Sequence, residues 1–151
     1  MSRRRLSGRR YAPLLALLGL VAAAPAAAQP ATVQVDVIYA TNVESGVDPG
    51  LERLVQSLGS FRYSAYRRLG GQTLQITDAG LASVALPGGR QLQVVPRRLS
   101  SAAADLRVSV FEGGRKVVAS DVRLVRGGQP VLVGGFKHQQ GVLFLAIKAM
   151  R

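Results

Sequence analysis

The sequence predicts an all-β domain, a small antiparallel β-sandwich of about seven to nine strands with one short helix. Three observations carry this. Apolar residues alternate with polar ones at period two through most of the chain after residue 28. Glycine doublets separate many of these runs, and most read as hairpin turns, where glycine adopts positive φ cheaply. One stretch alone has helical spacing: Leu51, Leu54, Val55 and Leu58 fall at i, i+3, i+4 and i+7.

The chain opens with a segment that reads as an export signal. Arg3, Arg4, Arg5, Arg9 and Arg10 form a positive start, an apolar run follows from Leu14 to Val21, and Ala26-Ala27-Ala28 supplies small residues before Gln29. Residues 1–28 are therefore expected to be a signal peptide and residues 29–151 a single exported β-domain. An uncleaved membrane anchor is the alternative, and it would be the only membrane attachment. Pro25 and the alanine-rich composition make the segment marginal for spanning. Ser2-Arg3-Arg4-Arg5-Leu6 resembles the start of a twin-arginine signal, but Ser7 and Gly8 depart from it, so ordinary export fits better.

The strands then follow in order. Val33, Val35, Val37 and Tyr39 share one face of the first. Asp48 is placed to cap the helix, Pro49 suits its first turn, and Gly59 is placed to end it. Such a helix is marginal alone and must lie on a sheet or plug the sandwich. In the mixed run Phe61–Leu69, Phe61, Tyr63, Ala65 and Leu69 face one way, and Arg62, Ser64, Tyr66 and Arg68 the other. Shorter runs contain Leu74 and Ile76, then Leu92 and Val94. Longer ones contain Leu106, Val108 and Val110, then Val118, Val122 and Leu124. Glu112-Gly113-Gly114-Arg115 is the clearest hairpin, and Leu86-Pro87-Gly88-Gly89-Arg90 the next. Val142 to Ile147 is apolar at every position, which marks a strand covered on both faces or lying at an interface.

Composition narrows the chemistry. There is no cysteine, so disulfide scaffolds, thiol enzymes, zinc-thiolate sites and lipidated cysteines are excluded. The net charge of +12 falls to +7 once the five leader arginines are removed, leaving 15 basic against 8 acidic residues. His138, the only histidine, sits in a polar stretch expected to be a loop. The acids show no spacing for paired-carboxylate or calcium chemistry. No Gly-x-Ser-x-Gly elbow occurs, and the glycine doublets lead into strands, whereas a phosphate loop leads into a helix. No cofactor and no catalysis are expected. The remaining candidate is an arginine and tyrosine strand face, Arg62, Tyr66 and Arg68, which could grip a polyanion. The plainer reading is that these arginines guard exposed edges and keep the domain soluble.

Two stretches carry resemblances. Ile38 to Asn42, Asp48 to Leu51 and Phe61 to Leu69 together look like small exported bacterial proteins of uncharacterised function, a likeness that implies no activity or site. Gly127-Gly128-Gln129-Pro130-Val131-Leu132-Val133-Gly134-Gly135 is similar to a short strand-turn motif near the gate of secretin channels. The rest of a secretin barrel is missing, so the resemblance implies no pore. The function expected is a non-catalytic exported module, periplasmic or secreted, that binds an envelope protein. The alternative is weak binding of a polyanion.

Overall fold

The structure, a computed structural model, describes residues 29–59 and 62–151. The expected leader and Phe61 lie outside the described residues. The elements are β1 (Ala31–Thr41), β2 (Gly46–Val47), α1 (Glu52–Ser57), β3 (Ala65–Ile76), β4 (Ala82–Leu86), β5 (Arg90–Leu99), β6 (Ala103–Glu112), β7 (Arg115–Val125), β8 (Val131–His138) and β9 (Gly141–Ala149). They form two sheets, ordered β2-β3-β1-β9-β8 and β4-β5-β6-β7. Every pairing is antiparallel except the short parallel contact of β2 with β3. This is the small all-β sandwich that the alternation predicts.

The main core lies between the sheets. Val33, Val35 and Val37 from β1 meet Leu143, Leu145 and Ile147 from β9 and Leu92, Val94, Leu106, Val108 and Val110 from β5 and β6. Burying each such side chain contributes about 1.5–3 kcal/mol. A second, smaller core lies on the outer face of the first sheet, where Leu51 and Leu58 cover Ile38, Ala40, Tyr66, Phe144 and Ala146. The all-apolar run of β9 is thereby explained. Its odd-numbered residues from Leu143 to Ile147 face the other sheet, and Phe144 and Ala146 face the helix.

The helix itself is shorter than expected and is not capped by Asp48. Leu51 holds the N-cap position without a side-chain cap, and Asp48 contributes only its carbonyl, which accepts from the Leu51 amide. The Asp48 carboxylate is drawn instead to β3, where the Arg67 guanidinium and the Arg68 amide both donate to it. A charged donor and an amide together outweigh one helix N–H.

Two doublets turn hairpins as predicted, Gly88-Gly89 and Gly113-Gly114, all four at positive φ. Two others lie inside strands. Gly70-Gly71 does not end a strand. It lies in the middle of β3, which runs on past a bulge at Leu69. The reason for a glycine there is close approach, because a Cβ on Gly71 would stand 2.6 Å from Asp36 Oδ1. Gly134-Gly135 forms a bulge in β8. That strand also takes up Phe136 to His138, expected to be loop, and a Gln139-Gln140 turn joins it to β9.

Candidate anion-binding groove

On the outer face of the first sheet, the second core covers only one end. Toward the other end the helix and the Gly127–Pro130 turn stand apart as walls, leaving a groove of about 670 Å³. Its floor follows from strand register. Gln34 pairs with Lys148 and Asp36 with Ala146 across β1 and β9, while Ile38 pairs with Arg68 across β1 and β3. Paired residues share a face, so one apolar floor strip carries polar side chains beside it. From the helix, Arg53 adds a further cation to the lining.

The groove is electropositive. Arg53, Arg68 and Lys148 line it against one carboxylate, Asp36. Asp36 is already engaged: Gln34 Nε2 donates to both its oxygens at 3.2 Å, and Arg68 Nη2 lies 3.7 Å away. Arg53 and Lys148 make no ion pair among the described residues. Low-dielectric walls around unpaired cations raise the local concentration of anions.

The three residues predicted as a binding face are separated. Arg62 is exposed but precedes β3, so it has no place on the strand face. Tyr66 does share a face with Arg68, yet it is only 2% exposed. Its ring lies edge-on to Tyr63 at 6.2 Å, and its hydroxyl accepts from the Tyr63 amide. The helix covers that end of the sheet, so Tyr66 cannot stack on a ligand. Arg68 alone reaches the groove. Arg53 and Lys148 were missed. Lys148 has a signal in hindsight: it is the charged member of the outward series Val142, Phe144, Ala146, Lys148, and marks where helix cover ends.

Elsewhere several charges are paired with one another. Arg107 holds Asp121 through two bonds of 2.8 and 2.7 Å. That pairing lowers the Asp121 pKa and raises that of Arg107. Asp48 is also held below the usual carboxylate range, first by the Arg68 amide and then by the Arg67 guanidinium. His138 is half-buried, its ring edge-on to Tyr39 at 5.9 Å. Among the described residues no group of His, Asp or Glu is placed to hold a metal ion. No described helix is long and apolar enough to cross a membrane. Compared with known proteins, the chain matches no family model, no curated protein and no solved structure.

Proposed function

We propose that the chain is a non-catalytic exported binding module, and that its groove takes an anionic ligand. The observation that carries this is the groove itself, where two unpaired cations and Arg68 face one occupied carboxylate. The non-catalytic half is supported by the acids. Asp36, Glu44, Asp48, Asp105, Glu112 and Asp121 are each engaged by an arginine, and in Asp48 and Asp121 that pairing lowers the carboxylate pKa. Export is supported by the Arg-rich start and the Ala26-Ala27-Ala28 site, and an intact mass beginning at Gln29 tests it.

Binding in such a groove is electrostatic, so it weakens with salt as counterions are released. The test is retention of residues 29–151 on heparin across a salt series. Arg53→Glu with Lys148→Glu should elute at much lower salt, while Arg62→Glu changes little. Equal elution of all three would make the basic surface general and remove the groove as a site. No retention at low salt would leave a protein partner as the ligand.

A further inference from the structure

The sheet edges are unequally guarded. Along β7 lie Arg115, Lys116, Asp121 and Arg123. β8 follows Pro130, is broken by a bulge and carries Lys137. β4 has five residues and runs into Pro87. Charges, bulges, prolines and shortness all discourage a further strand from adding.

β3 is different. Its outer lane is filled by β2 only beside Ala65 and Tyr66, and the Asp48 carboxylate then accepts from the Arg68 amide. Beyond the bulge, Gly70 to Ile76 pair in unbroken register with Val37 to Ala31 on the inner side. This stretch reads Gly-Gly-Gln-Thr-Leu-Gln-Ile, with no charge and no proline. It has no strand neighbour on its outer side.

We propose that this edge pairs antiparallel with β3 of a second copy, about a two-fold axis through Thr73, the midpoint of the regular stretch. The stretch is self-complementary in that register. Thr73 faces its own mate, and threonine pairs are favourable across strands. Gln72 faces Leu74, and Gly70 faces Ile76. Gly71 faces Gln75, and no charge falls within the paired stretch. The copy's strand stops at Ile76, so it clears β2. Pairing also closes a defect. Ile76 and Leu74 fill the inner side of β3, but Gln72 and Gly70 follow them, and a cleft of about 410 Å³ opens beside Val35, Val37 and Val84. A neighbouring strand ending in Ile76 covers the mouth of that cleft. A two-fold contact of this kind joins the two five-stranded sheets into one and ends there.

The chain has no cysteine, which makes the test direct. Residues 29–151 should sediment as a dimer at high micromolar concentration. Thr73→Lys sets two ammonium groups face to face, and should weaken the dimer at least tenfold with an unchanged melt. Thr73→Cys should form an intermolecular disulfide under mild oxidation, whereas Ser83→Cys on β4 should not. Arg53→Glu with Lys148→Glu should leave the dimer intact, which separates this contact from the groove. A monomeric wild type overturns the proposal and leaves the lane to a strand of another protein. So does a dimer indifferent to Thr73→Lys, or equal cross-linking through Ser83→Cys. If Thr73→Lys fails to fold, the cysteine pair alone decides.

Discussion

The Asp48 carboxylate accepts a 2.9 Å hydrogen bond from the backbone amide of Arg68, and through it the segment entering the helix is tied to the strand beneath. The Arg67 guanidinium adds a 3.0 Å bond to the other carboxylate oxygen. Both partners favour the ionised form, so the folded pKa lies below the unfolded one. The contribution is thus present above the ordinary carboxylate pKa and is lost as pH falls through the lowered folded value. Asp48→Asn should be less stable than wild type at neutral pH. The gap between their unfolding midpoints should shrink as pH drops below the carboxylate range. A gap that stays constant to acid pH would mean the charge on Asp48 does not contribute.

Arg90 should be the costliest ion-pair residue to lose. Its side chain is 8% exposed. It donates to Glu112 at 3.2 Å and to the Lys137 carbonyl at 2.6 Å, and lies over the Phe136 ring. It therefore links β5 of one sheet to β8 of the other. Arg90→Met keeps the stem but leaves the carbonyl without this donor, at a cost of about 1–3 kcal/mol. Arg123→Ala removes a far more exposed pair, and should change stability by less than about 1 kcal/mol. Urea unfolding of the two variants checks the order, and equal midpoints would contradict it.

Much of this fold was legible because period-two alternation reports burial directly. Val33-Val35-Val37 and Leu106-Val108-Val110 are inward as predicted. What alternation does not report is what covers the outer face. Tyr66 and Arg68 were correctly placed together, but whether that face meets water depends on a six-residue helix packing over one end. The Gly70-Gly71 doublet failed for a similar reason. Its glycine requirement comes from Asp36, more than thirty residues away in sequence, and no local pattern encodes that approach. The groove cations were hidden for the same cause, since Arg53, Arg68 and Lys148 lie on three separate elements.

Leu145→Asp should abolish folding. Leu145 is fully buried between the sheets, and an unpaired carboxylate there costs several kcal/mol against a total stability of about 5–15 kcal/mol. His138→Ala should cost less than about 1.5 kcal/mol, because it removes one edge-on contact with Tyr39. Circular dichroism melts decide both. A cooperative, wild-type-like melt for the aspartate variant would show that β9 is not central.

Gly70 and Gly71 are neighbours in one strand, yet their replacement should act in opposite directions. Neither has positive φ, so a side chain brings no backbone strain at either. A Cβ on Gly70 meets nothing within 4 Å. It would enter the cleft beside Val35 and Val37. Gly70→Val should therefore stabilise by roughly 0.5–1 kcal/mol, through a less flexible unfolded chain and some cleft filling. Gly71→Ala places its methyl 2.6 Å from Asp36 Oδ1, closer than atoms tolerate. Asp36 is held by Gln34 and lies near Arg68, so moving it disturbs both. Gly71→Ala should lower the melting temperature and loosen the groove floor. Melts in dilute solution, where edge pairing between copies is suppressed, check both signs. Destabilisation by Gly70→Val would mean that the cleft beside β3 is filled in solution.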